Sequence, residues 1–256
     1  MRGLLVQLQV VHALLLREVK TRFGAHKLGY LWALIEPILW VATFAAMYVL
    51  LGRLNPPGID PVPFLVTGIL PFVLFRETAA RTLTAIEANK GLLFYPQVRP
   101  LDLVLARAIL ELATHLVVIT LLLGGVALWD GKLPHGQPLL LLAGLVLASG
   151  LGTSLGLVFC GLSTFSNTVE RIFSPLLRPL FWTSAVFFPS SSLPTAARDL
   201  LLYNPVLHVV ELVRSGYSAG YDARHVNAWY PAVWVIALLF FGLSLERVAR
   251  RRVQLS

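Results

Sequence analysis

Charge is what this chain has least of. Asp, Glu, Lys and Arg make up 13% of its 256 residues, about half the share usual in soluble domains. The deficit runs the full length, and 57% of residues are hydrophobic with a mean hydropathy of +0.74. That composition excludes a soluble enzyme and indicates an integral membrane protein. Cysteine is nearly absent: Cys160 stands alone in an apolar stretch, so no intrachain disulfide forms and the thiol is expected to pack rather than react. Neither a glycine-rich phosphate loop nor a dinucleotide fingerprint is present. The six histidines, at 12, 26, 115, 135, 208 and 225, share no metal-ligand spacing. No metal and no cofactor are therefore expected on this chain, and work done uphill would draw on another subunit. Linkers, repeats and low-complexity stretches are missing too, which leaves one membrane domain over 1–256.

Long apolar runs fill the space. A spanning helix takes about 20 mostly apolar residues, and such stretches lie at 30–51, 64–88, 101–128, 139–163, 172–188 and 229–245. Trp32, Trp129, Trp229 and Tyr230 fall near their ends, where aromatic belts sit. In 1–28, Leu4, Leu8, Val11, Leu15 and Val19 recur at helical spacing and Arg17, Lys20, Arg22 and Lys27 follow. This predicts an amphipathic helix in the interface, its basic end near lipid phosphates. Its start imitates a secretory signal, but Gln7, Gln9 and His12 interrupt the apolar run and charged residues follow, so it reads as retained. Residues 189–228 are too long for a turn and are broken by Pro189, Pro194, Pro205 and Gly216; their short apolar runs suit re-entrant helices before the last span. Arg2, Arg17, Lys20, Arg22, Lys27, Lys90, Arg99, Arg171, Arg247, Arg250, Arg251 and Arg252 fall on one side. The other side receives Arg53, Lys132, Arg198, Arg214 and Arg224. The basic side is cytoplasmic by the positive-inside rule, with both termini inside and 189–228 outside. Most of the net charge of +8 is thus an orientation signal, and no nucleic-acid partner is expected. The expected fold is an all-α integral membrane protein of six transmembrane helices.

Polar residues inside the spans carry the functional hints. Arg76, Glu77 and Arg81 lie in the second span, Arg76 roughly 18 Å and Arg81 roughly 26 Å from residue 64. Arg81 can reach the cytoplasmic headgroups and has Glu77 four residues before it, the favourable order for a pair. Arg76 has no acid at helical spacing, and facing lipid would cost it about 2.5 kcal/mol or more. It is expected either to pair with an acid such as Glu36 on another span or to line the path of an anionic substrate. Arg178, Phe72, Phe75, Phe181 and Trp182 are further candidates for that path, the aromatics stacking on sugar rings or simply packing. Tyr48, Phe187 and Phe188 belong to the same set. Arg107 and Glu111 read as a structural pair, and His208 with Glu211 as a local hydrogen bond. Gly144, Ala148, Gly152 and Gly156 form a small-residue stripe for close helix approach, favoured within the chain. Residues 87–100 join two spans on the cytoplasmic side; Glu87, Asn89, Lys90, Tyr95, Pro96 and Arg99 give them the look of a docking segment. Arg17, Lys20 and Arg22 either admit an anionic lipid head or serve orientation alone.

Three stretches resemble one family, the bacterial polysaccharide-export permeases of the ABC-2 type: "REVKTRFGAHKLGYLWALIEP", "ANKGLLFYPQVRPLD" and "YNPVLHVVELVRSGYSAGY". "FRETAARTLTAIEANKGLLFYPQVRPLD" is most similar to the capsule branch. The resemblance spans the chain. It implies an inner-membrane permease for lipid-linked acidic polysaccharide, paired with a second copy of itself and two ATP-binding cassette subunits that hold ATP and magnesium. It also implies partners that bridge the periplasm. Arg178 departs from the family pattern. O-antigen, teichoic-acid, lipid or drug export are alternatives within the same superfamily. A polytopic membrane transferase is the alternative from another class, and it would need acidic or histidine clusters at a membrane face.

Overall fold

Proline opens helix after helix along this chain. The computed structural model describes residues 2–23, 29–50, 56–132, 135–166 and 168–253, and no strand occurs among them. Pro61, Pro100, Pro138 and Pro205 sit in the first turns of α3 (Pro61–Leu83), α4 (Pro100–Asp130), α5 (Pro138–Ser163) and α8 (Pro205–Tyr217). There a missing N–H costs nothing and the fixed φ already suits a helix. Asn204 caps α8, accepting from the Val206 N–H at 3.0 Å, and Gly131 stops α4 with a left-handed φ of 64°. The remaining helices are α1 (Arg2–Phe23), α2 (Gly29–Leu50), α6 (Thr168–Thr183), α7 (Thr195–Leu201) and α9 (Trp229–Val253), with 3-10 helices at Glu87–Phe94 and Ser190–Ser192.

The core is built on α3. It packs against α2, α4, α5 and α8, while α5 also carries α9. Phe64, Leu65, Ile69, Leu70, Phe72 and Leu74 are all at most 1% exposed. The small-residue stripe of α5 works inside the chain: a Cβ on Gly152 or Gly156 would fall 2.5 Å from the carbonyl oxygens of Phe75 and Ala79 respectively. The two backbones therefore touch, and dispersion rather than side-chain burial joins them.

Among the described residues four helices are long and apolar enough to cross a membrane: Pro61–Leu83, Pro100–Asp130, Pro138–Ser163 and Trp229–Val248. The other two expected spans are shorter. In α2 the apolar stretch is Leu34–Tyr48. The stretch expected at 172–188 is instead a 16-residue helix, Thr168–Thr183, with Pro175 and Pro179 inside it. Its end has a local cause. The Ser184 hydroxyl bonds back to the Leu180 carbonyl at 2.5 Å, competing with the next helical turn. The chain then turns through Ala185, whose φ of 55° is the one positive value at a non-glycine among the described residues. In 189–228, α7 has no buried residue, whereas ten of the thirteen residues of α8 are buried against α3 and α5. At thirteen residues α8 is too short to span, so it enters the core and stops.

Candidate functional site

One end of the bundle is tied together by charge. α1 offers Glu18 and Arg22, and α4 offers Arg107 and Glu111, so each helix presents opposite charges one turn apart. Arg107 Nε meets Glu18 Oε1 at 2.8 Å, and Arg22 Nη1 meets Glu111 Oε1 at 2.5 Å. Arg17 donates to Asn89 Oδ1 at 2.7 Å, and Gln7 donates to the buried Asp102. Between these ties Val10, Leu14 and Leu15 pack on Leu92, Leu93, Val98, Leu103 and Ala106. Helix α1 is thus bolted to α4 and to the 87–100 connection, with Leu8 and Leu16 left exposed. Of the three proposed entry cations, Arg17 and Arg22 bond inward, and Lys20 is exposed with no partner among the described residues.

Two local pairings expected from sequence are replaced by tertiary ones. Glu111 is only 2% exposed and draws Arg81 Nε to 3.4 Å as well as Arg22. That takes Arg81 from Glu77, and Glu77 instead pairs with Arg76 at 2.9 Å. Arg76 is therefore neither unpaired nor joined to Glu36. Arg107, expected on Glu111, also donates to the Arg81 carbonyl at 2.8 Å and to Thr84 Oγ1 at 3.1 Å. A buried carboxylate needs cations more than an exposed one does, so it recruits them from other helices. His208 does not bond Glu211 either. Its Nε2 faces the Leu202 carbonyl at 2.9 Å and its Nδ1 accepts from Asn227 N–H at 3.2 Å, which fixes the tautomer.

The connection has an anchored and an open half. Asn89 is buried, holding Arg17 on one side and the Ala85 carbonyl at 2.9 Å on the other. Asp102 accepts from the Arg99 N–H at 2.8 Å and so starts α4. Phe94 and Tyr95 are 89% and 63% exposed, and Pro96 and Arg99 are exposed beside them. Glu87 and Lys90 pair with each other at 3.0 Å on the surface.

The candidate path aromatics do come together, around Phe181. Its ring lies 5.0 Å from Phe72, 5.2 Å from Phe187, 5.6 Å from Trp182, 6.2 Å from Trp40 and 6.4 Å from Phe44. Phe72 and Phe75 are buried and form the floor, while Trp182 and Trp40 are 58% and 38% exposed and form the rim. Along α6, Arg171, Pro175, Arg178 and Trp182 fall within about 60° of one another at 3.6 residues per turn. All four are exposed. Arg178 lies about 15 Å along the helix from Thr168 and makes no hydrogen bond or ion pair among the described residues. The arginine without a partner among the described residues is thus Arg178 rather than Arg76. The spacing of 171, 175, 178 and 182 shows in the sequence that they share a face, but not that Arg178 lacks a partner.

A second buried charge pair escaped sequence reading altogether. Glu211 and Arg214 of α8 are both 0% exposed, with Oε1 and Nη1 3.1 Å apart. Tyr221 and Ser190 donate to Glu211 at 2.6 and 2.7 Å. Burial, opposed by Arg214 and reinforced by Glu211, pushes the Tyr221 phenol up, so it stays a donor. Cys160 is buried, and among the described residues no three of His, Cys, Asp and Glu are grouped to hold a metal.

A family model described as ABC-2 type transporter matches residues 9–217. The chain is 37% identical over 251 residues to the polysialic acid transport protein KpsM of Escherichia coli, covering 96% of this chain and 95% of that one. It is 30% identical over 247 residues to the capsule polysaccharide export inner-membrane protein CtrC of Neisseria meningitidis serogroup B, at 95% and 92% coverage. To the capsule polysaccharide export inner-membrane protein BexB of Haemophilus influenzae it is 28% identical over 247 residues, at 96% and 93%. The chain belongs to the ABC-2 type transporter family.

Proposed function

We propose that this chain is the transmembrane subunit of an ATP-driven exporter that carries a lipid-linked acidic capsular polysaccharide across the bacterial inner membrane. In this reading it crosses the membrane six times, with α2 and α6 as the two shorter spans and both termini cytoplasmic. It pairs with a second copy of itself and with two ATP-binding cassette subunits, which bind ATP and magnesium and dock on the exposed Phe94–Tyr95–Pro96–Arg99 knob. Export proteins that span the periplasm take the polymer onward. Lys20, with Arg17 and Arg22 behind it, faces the anionic lipid head at entry.

The observation that carries this reading is Arg178 on the open face of α6. An exposed arginine with no partner cannot face hydrocarbon without a cost of about 2.5 kcal/mol or more. Set between Arg171 and Trp182 it belongs in a wet path, where guanidinium groups meet carboxylates of the polymer and the indole stacks on a sugar ring. Arg76 and Glu77, about a third exposed, contribute a weaker charge to the same interior.

The test is export of capsule by cells carrying Arg178→Ala, Arg178→Lys or Trp182→Ala, with complex assembly measured alongside. Loss with Ala, partial recovery with Lys and loss at Trp182 support an acidic polymer. Full export by Arg178→Ala with loss at Trp182 would turn the reading toward a neutral glycan.

A further inference from the structure

Arg214 makes an unusual set of bonds for a buried arginine. Its Nη1 donates to the Ala185 carbonyl at 2.5 Å and its Nη2 to the Val186 carbonyl at 2.6 Å, two successive peptide oxygens. Its guanidinium carbon lies 3.7 Å from the centre of the Phe64 ring. Room for it comes from Gly68, where a Cβ would fall 2.5 Å from Nη2. Glu211 meanwhile receives the Ser190 hydroxyl. A single ion pair on α8 thus holds segment 185–190 at both ends.

Stability alone is a poor reason for such a pair. Buried ion pairs are often replaceable by apolar residues of similar volume without loss. A forked cation does what an apolar residue cannot: it fixes two adjacent carbonyls of a turn whose first residue, Ala185, carries a positive φ of 55°. Two residues on, Phe187 is seated 4.4 Å from Phe44, 5.2 Å from Phe181 and 5.3 Å from Trp182, and its carbonyl accepts from the Tyr48 hydroxyl. The turn therefore decides where the backing of the aromatic rim lies.

We propose that Arg214, held by Glu211, is a positioning residue for the polysaccharide path: it clamps the turn after α6 so that Phe187 supports Phe181 and Trp182. The proposal rests on the reading of the Trp182 face as that path. Arg214 never meets the polymer, being fully buried.

The clamp can be tested separately from the path. A Phe188→Cys reporter reads the turn by maleimide labelling in detergent, because Cys160 is buried and is the chain's only cysteine. Into it go Arg214→Lys, which keeps a cation for Glu211 but loses the fork, and the double change Glu211→Leu with Arg214→Met, which removes both charges. Both should assemble with the ATPase, label about tenfold faster and export about tenfold less, in keeping with the loss from a small misplacement of binding groups. Unchanged labelling in an assembled Arg214→Lys protein overturns the clamp, and so does faster labelling with unchanged export. Failure of both variants to assemble would make the pair a folding element and overturn it as well. Normal export by Trp182→Ala would instead remove the path reading, which labelling does not touch.

Discussion

Removing Arg22 should loosen α1 from the bundle by an amount the structure fixes. Glu111, at 2% exposed, holds Arg22 at 2.5 Å and Arg81 at 3.4 Å through one oxygen, and its second oxygen has no hydrogen-bond partner. Breaking a buried pair outright costs about 3–5 kcal/mol. Here Arg81 remains and Arg22 is itself 19% exposed, so Arg22→Ala should cost about 2 kcal/mol. At about 1.4 kcal/mol per decade, that is roughly a thirtyfold shift toward an undocked helix. Trypsin reads it directly, since Lys20 is exposed two residues away and cleavage there needs α1 to open. The Arg22→Ala complex should be cut markedly faster at Lys20. In a Glu111→Gln background the same change should cost less than in the wild type, a coupling of about 1–2 kcal/mol in a double-mutant cycle. Additive effects, or an unchanged cleavage rate in the single variant, would refute the assignment of Arg22 as a brace.

Substituting Tyr95→Ala and Arg99→Ala together should cut co-purified ATPase about tenfold, as loss of aromatic and arginine anchors does. Thermal unfolding should stay put, because the Asp102 bond uses the Arg99 backbone rather than its side chain; an unchanged yield of complex removes the docking role. Gly156→Ala drives a Cβ to 2.5 Å from the Ala79 carbonyl, which should destabilise by about 1–3 kcal/mol. Gly124→Ala, with nothing within 4 Å of its Cβ, is the matched control; equal melting shifts for the two would disprove the α3–α5 contact. Pro175→Ala restores a helical hydrogen bond in α6 and should raise its stability while lowering export. Wild-type export from that variant would count against bending of α6 during transport.

The sequence spelled out the helices well and the pairings poorly. Apolar length and flanking charge are local properties, so α3, α4, α5 and α9 stand close to the expected spans. Spacing within one helix also told which residues share a face, and the glycine stripe of α5 met its partner as that spacing implied. Ion pairing is different, because a buried carboxylate takes whichever cation the fold brings to it. Glu77–Arg81 and Arg107–Glu111 had favourable spacing, yet Glu111 drew Arg22 and Arg81 from two other helices. Arg76 was singled out by lacking an acid at i±3 or i±4, and an adjacent Glu77 freed by that exchange satisfied it. Arg178 was present among the candidates, but only the exposure of α6 separated it from Arg76. Arg214 looked like a topology signal, and nothing local announces that two carbonyls 28 and 29 residues away will be its ligands.

Packing also decides where motion can occur. The connection at 87–100 follows α3 after three residues, 84–86, and runs straight into α4 at Pro100, so a push there acts on both α3 and α4. Yet α3 has no slack: its glycine-mediated contact with α5 leaves backbone against backbone, and interiors packed to that density transmit displacement rather than absorb it. The buried Glu211–Arg214 pair joins α8 to the same block. What remains free to shift is the pair α2 and α6: α3 also holds an internal proline, Pro71, but buried in the packed block, whereas Pro37, Pro175 and Pro179 lie in helices whose outward faces are exposed. Prolines at these points remove helical hydrogen bonds and lower the cost of bending. The open stripe with Arg178 and Trp182 lies on one of these two helices, and Trp40 lies on the other. The proposed path would therefore be built on the parts of the molecule that can move, backed by the turn on which Arg214 donates to two successive carbonyls.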